Sequence, residues 1–139
     1  MYDIVGIGTM LIDFTPHGVS NNGNTLYERN PGGSVANFLV AAARQGSKCA
    51  FIGKLGNDMF GRFLKKTLED DHIETAGVVM CEEKLTSGAF VQLDDKGERE
   101  FVFYRKGMAD SSLLEQEVRY DILDHTRTLH LTSFMLAGG

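Results

Sequence analysis

Arg29-Asn30-Pro31-Gly32-Gly33-Ser34-Val35-Ala36-Asn37 is a stretch well suited to contact a ligand. Pro31 stiffens the approach, and two glycines let backbone N–H groups face a ligand without a Cβ in the way. A helix beginning at Ser34 would aim its unpaired N–H groups and positive dipole end at the same place. Asn37 falls in the first turns of that apolar helix, where a buried amide needs partners. A tight turn with Asn37 bonded to backbone accounts for the same residues. Asp13 follows the apolar Met10-Leu11-Ile12 at the end of the first extended segment. That places it where strand ends and helix starts meet, the customary ligand crevice of an open α/β sheet. An ionised carboxylate there accepts two hydroxyl hydrogen bonds, which suits a polyol; a surface-loop aspartate is the competing reading. Arg105 closes a candidate hairpin on the same face as Phe101 and Phe103, either turned to a ligand or as an exposed strand end.

Other chemistries find no support. Gly6-x-Gly8 invites a dinucleotide reading, but Leu11 stands where a third glycine would open a helix, so the two glycines are read as a close approach to a neighbour. His17, His72, His125 and His130, with Cys49 and Cys81, show no metal-ligand spacing, so no structural metal is expected. Fourteen basic against 19 acidic residues give a net charge of −5 without a basic stripe, which argues against nucleic acid as a partner. The longest apolar run, Phe38 to Ala43, is far short of the roughly 20 residues of a membrane span. Met1-Tyr2-Asp3 opens without a basic n-region, so no signal peptide is visible, and the two cysteines read as reduced thiols of the cytoplasm.

The elements that must position these residues follow from periodicity. The 139 residues allow one domain with a core. Tyr2 to Gly8 suits a buried strand, and Met10 to Phe14 continues extended. His17 to Asn24 reads as a loop. Ser34 to Gln45 reads as a helix stopped by Gly46, apolar nearly all round and so expected to be buried. Lys48 to Leu55 is a second strand; Asp58 then caps a helix whose Phe60, Phe63, Leu64 and Leu68 share one face. With a short strand at Val78 to Cys81, the alternation points to a parallel sheet with crossover helices. Ser87 to Asp94 and Glu98 to Arg105 form a hairpin around Asp94-Asp95-Lys96-Gly97, apolar on both faces and so expected to lie between two surfaces. Asp110 is expected to cap a helical stretch through Ser111 to Asp124, with a core strand at Thr128 to Ser133. The chain closes in Leu136-Ala137-Gly138-Gly139, as though the C-terminal half of a larger α/β protein lay beyond.

Together these residues resemble the N-terminal part of the ribokinase-like (PfkB) carbohydrate kinases, and within them the fructokinases. The resemblance runs over essentially the whole chain. Its most specific block is Pro31-Gly32-Gly33-x-x-Ala36-Asn37 with Phe51-Ile52-Gly53-Lys54-Leu55-Gly56-Asn57-Asp58-x-Phe60-Gly61. Leu11-Ile12-Asp13-Phe14 and Gly97-Glu98-Arg99-Glu100-Phe101-x-Phe103-Tyr104-Arg105 are similar to fructokinases in particular, and Ala109-Asp110 and Leu129-His130 fit the same frame. The resemblance implies an α/β fold, a ribokinase-like parallel sheet with flanking helices and a small β-sheet lid, truncated on its C-terminal side. Residues 1–139 would be the N-terminal part of that domain, with lid segments about 14–27 and 87–105. It implies ATP-dependent phosphoryl transfer to a sugar's primary hydroxyl, with Mg²⁺, and a substrate-binding set of Asp13, Gly32, Gly33, Asn37, Phe103 and Arg105. It also implies a homodimer through the outer face of the lid. The family's catalytic base lies in a Gly-Ala-Gly-Asp motif that does not occur in these 139 residues, so the base and most of the nucleotide and metal sites are expected outside them. Thr9 stands where fructokinases commonly carry glutamate, and Lys106-Gly107-Met108 replaces an Asn-Pro-Ser type of turn. The latter is closer to 2-keto-3-deoxygluconate kinases, an alternative alongside a non-catalytic sugar-binding or dimerising fragment; Asp110 favours the fructokinase side.

Overall fold

The computed structural model describes residues 1–133, so the closing Leu136-Ala137-Gly138-Gly139 lies outside the described residues. The β-branched run at the start forms β1 (Tyr2–Ile7). After Gly8-Thr9-Met10 the chain continues as β2 (Leu11–Val19) and returns as β3 (Thr25–Gly32). α1 (Ser34–Arg44), β4 (Cys49–Gly56), α2 (Met59–Asp70) and β5 (Glu74–Cys81) then alternate. β6 (Gly88–Leu93) and β7 (Arg99–Tyr104) form the expected hairpin. Two 3-10 turns, Ala109–Ser111 and Glu115–Glu117, lead to the single-turn α3 (Tyr120–Leu123) and to β8 (Thr126–Leu131).

The strands divide into two four-stranded sheets. The main sheet has the order β5-β4-β1-β8, and every pairing in it is parallel. The small sheet has the order β3-β2-β6-β7: two antiparallel hairpins joined along a parallel β2–β6 seam. This is the mixed α/β architecture that strand–helix alternation followed by a hairpin foretells.

Alternation along the strands sends side chains to two cores. Phe51 and Leu55 of β4 pack with Val35, Ala36 and Leu39 of α1 and with Leu64 and Leu68 of α2. Val5, Ala50 and Ile52 turn to the other face, where Ile122, Leu113 and Val118 cover them. Gly6 and Gly8 make the α1 contact possible, since a Cβ at either would stand 2.6 Å from Val35 side-chain atoms. α2 starts where Asp58 accepts hydrogen bonds from the Phe60 and Gly61 N–H groups, both at 2.9 Å.

Several expectations change. α1, expected to be buried nearly all round, is fully buried only at Val35, Ala36 and Leu39, while Asn37, Phe38 and Ala41 are exposed and the Phe38 ring stacks on His130 of β8. The stretch from Ser111 to Asp124 is two 3-10 turns and one helical turn rather than a helix. It is drawn across the sheet face, where Glu117 receives the Lys54 ammonium of β4 at 2.7 Å. Asp110 caps nothing; its carboxylate is buried. Among the described residues β8, expected as a core strand, pairs with β1 alone and leaves Leu129 and Leu131 exposed. His17 to Val19 stays in β2, so the turn covers only 20–24. β5 begins at Glu74, four residues before the expected start at Val78.

Candidate functional site

Asp13 lies on β2, one of the two inner strands of the small sheet, opposite Asn30 of β3 and Ala89 of β6. Ala89 in turn faces Phe103 of β7. Side chains in one register row share a face of a sheet, so Asn30, Asp13, Ala89 and Phe103 form a row on one side. Alternation adds Thr15, Val91 and Phe101 to that side. Phe14, Phe90, Tyr27 and Tyr104 populate the opposite side as a ring cluster, in which Phe14 also meets Phe60 of α2.

The Asp13 carboxylate rests against Gly32, filling the space that a side chain at that position would need. Asp13 is half-buried, and among the described residues its carboxylate has no hydrogen-bond or ion-pair partner. Burial pushes its carboxyl above the ordinary aspartate value. The contrast with the other enclosed carboxylates is sharp. Asp58 accepts from the Phe60 and Gly61 N–H groups and from both the N–H and hydroxyl of Thr86. Burial alone would raise the Asp58 carboxyl, but these bonds outweigh it and hold it below its usual value.

Gly33 is the residue before α1, at φ 121°, a conformation that side-chain-bearing residues rarely adopt; a Cβ there would also collide with the Thr9 carbonyl. With glycine in the cap position, no side chain caps the helix and no acidic residue lies in its first turn. The α1 N-terminus therefore opens beside the Asp13–Gly32 contact with its amide donors unclaimed by a capping side chain.

Arg105 lies just past β7, and its Nε donates to Asp110 Oδ2 at 2.8 Å. Asp110 also accepts from the Ser87 hydroxyl. Phe103 is 57% exposed. Asn37 is exposed, contrary to the expectation of a buried amide: α1 turns that side away from the sheet, and its backbone N–H bonds to the Gly33 carbonyl.

Of the expected residues, the structure brings Asp13, Gly32 and Gly33 together and sets Phe103 in the same row. Arg105 lies beyond that row, tied to Asp110, and Asn37 stands a turn into α1. Sequence reasoning passed over Asn30 and Thr15, whose side chains are bonded at 2.9 Å next to Asp13. The period-two alternation Asp13–Thr15 was a signal that could have found them. It also passed over Ser87 as a partner of Asp110, a pairing across 23 positions that no local pattern marks. Among the described residues, no group of three or more His, Cys, Asp or Glu could hold a metal ion.

The family described as pfkB family carbohydrate kinase matches residues 1–138. Fructokinase-1 of Oryza sativa subsp. japonica is 42% identical over 135 residues, covering 96% of this chain and 42% of the relative. The fructokinase of Solanum tuberosum is 40% identical over the same length. Among solved structures, the fructokinase of Xylella fastidiosa superposes with a TM-score of 0.89 at 32% identity, over 96% of this chain and 42% of that one. A sugar kinase of Pyrococcus horikoshii, solved in complex with ATP, does so with a TM-score of 0.87 at 32% identity, over 98% and 45%. The chain thus spans less than half the length of these relatives.

Proposed function

Since the chain belongs to the pfkB family of carbohydrate kinases, we propose that its whole protein is a fructokinase-like kinase that moves the γ-phosphoryl group of ATP to a sugar's primary hydroxyl. The observation that carries this reading is Asp13: a half-buried carboxylate with no partner among the described residues, against a glycine whose missing side chain leaves it room. Such a group is costly to keep unless a ligand's donors meet it. Adjacent sugar hydroxyls supply two such donors.

In this reading, Asp13 accepts from the sugar hydroxyls while the Gly32-Gly33 backbone and the α1 N-terminus approach its oxygens. Asn37 and Arg105 add donors at the margin, and Phe103 lies over an apolar edge of the ring. The small sheet acts as the lid that keeps water from the reacting hydroxyl, since a kinase that admits water wastes ATP. ATP supplies the phosphoryl group and Mg²⁺ shields its charge. The Gly-Ala-Gly-Asp motif expected to carry the base does not occur in these 139 residues, so the base and most of the nucleotide and metal sites are proposed to lie outside this chain. The exposed Val102, Tyr104 and Tyr27 on the opposite face of the lid suit a second copy of the protein. A cytoplasmic setting fits the two free cysteines, and no helix among the described residues is long and apolar enough to cross a membrane.

A coupled assay of the complete protein with fructose, ATP and Mg²⁺ tests this, with 2-keto-3-deoxygluconate as the rival substrate. The turn through Lys106 and Gly107, where Gly107 takes φ 75°, keeps that sugar acid in play. Turnover of neither sugar would favour a non-catalytic binding module.

A further inference from the structure

Resting on the sugar-kinase reading, we propose that Asp110, braced by Ser87, is a positioning residue that fixes the plane of the Arg105 guanidinium at the ligand face of the small sheet. Arg105 has 22% of its side chain exposed, and the Asp110 side chain only 1%. The contact is through Nε, at 2.8 Å. Nε is the donor nearest the side-chain shaft, so a carboxylate there sets the orientation of the whole planar fork. The other Asp110 oxygen accepts from the Ser87 hydroxyl, which prevents the carboxylate from rotating about its own bond. A carboxylate this deep is retained only when paired and hydrogen-bonded, and these two groups do both.

Ser87 also explains why the orientation matters for the ligand. Its carbonyl accepts the N–H of Ile12 at 3.0 Å, one residue before Asp13. Its neighbour Thr86 donates its N–H at 2.8 Å and its hydroxyl at 3.0 Å to Asp58, the cap of α2. The Ala109 N–H donates to the Leu85 carbonyl at 2.9 Å. The segment 85–87 therefore holds the Asp13 backbone, the start of α2 and the Asp110–Arg105 pair in one frame. A hydrogen-bond acceptor (Asp13) and a donor (Arg105) are kept at a set spacing by the same three residues.

Steady-state kinetics on the complete protein, with a double-substitution cycle, test the assignment. Asp110→Asn is expected to raise the fructose KM roughly tenfold with kcat within about twofold, as loss of an oriented charge-assisted hydrogen bond implies. In an Arg105→Lys background, which has already lost Nε, the same change is expected to add almost nothing. Ser87→Ala is expected to raise KM about threefold. If Asp110→Asn raises KM by the same factor in both backgrounds, or leaves it unchanged, the positioning role is overturned. If Asp110→Asn does not fold, the Ser87→Ala and Arg105→Lys pair is read by the same rule. Positioning is also read without turnover. The Arg105 Nε–H signal in ¹⁵N-resolved spectra should be protected from exchange in the unsubstituted protein and lose that protection in Asp110→Asn. Equal protection in both overturns the proposal whichever sugar is phosphorylated. Absence of turnover on every sugar, with that protection lost as expected, overturns the kinase reading and leaves the Asp110–Arg105 assignment standing.

Discussion

Asp13 is a carboxylate that the fold does not reward. Burial raises its pKa, so the folded chain resists the ionised form, and no described group compensates. The sign follows directly: a raised carboxyl favours folding at low pH and opposes it as pH climbs through the raised value. Asp13→Asn should therefore increase thermal stability at pH 7, with the gain closing as pH falls, a shift that calorimetry reads. The same substitution should weaken fructose binding in the complete protein by about 2–4 kcal/mol, since a charge-assisted pair of hydrogen bonds is lost. Unchanged affinity by titration calorimetry would remove Asp13 from the site. Binding that uses the ionised carboxylate should also fade as pH drops through that raised value. This part of the site was legible because its chemistry is local: the extended run into Asp13 and the paired glycines are visible without a fold. Asp110 was not, because Gly107 reverses the chain and folds its carboxylate back under Arg105.

The elements of the main sheet were legible for a different reason. Asp58, the Phe60–Leu68 face and the stop at Gly46 all carry their signals within a few positions. Residues 106–124 were not legible, because those short pieces take their shape from the sheet beneath. Lys54, 8% exposed on β4, draws Glu117 and the Ser112 carbonyl onto it at 2.7 and 3.2 Å. That contact, not local periodicity, decides the path. Glu117→Gln should cost about 3 kcal/mol in denaturant unfolding, since it strands a buried ammonium. Asp58→Ala should cost about 2 kcal/mol, because it removes the α2 cap and the tie to Thr86 together. The hydrogen bond from Lys54, above all, holds Glu117 below its usual value, and Asp58 is likewise held low. Both contributions are complete above the unfolded carboxyl values, near ~4, and are lost as pH falls through the lower folded ones. Acid unfolding of the two variants should accordingly be shallower than that of the parent, as followed by circular dichroism.

At the scale of the whole molecule, the small sheet has two sides, to which the proposed function gives different duties. Phe101 shares the Asp13 side, whereas Val102 shares the side of the ring cluster. Phe101→Asp should raise the fructose KM in the complete protein and leave its size-exclusion volume alone. Val102→Asp should do the reverse, shifting the protein toward a smaller species. If neither change moves either readout, the sheet is not a lid. Its strands come from two separate stretches, Leu11–Gly32 and Gly88–Tyr104. Their strand ladders join at three pairs, Ile12–Gly88, Asp13–Ala89 and Phe14–Phe90. No single cut-and-paste event could add or remove it, and a transplant into another scaffold would need two splices made in register. Asp13 sits in the middle of the three-rung suture between the pieces, so any slip between them would dismantle the proposed recognition surface before either hairpin came undone.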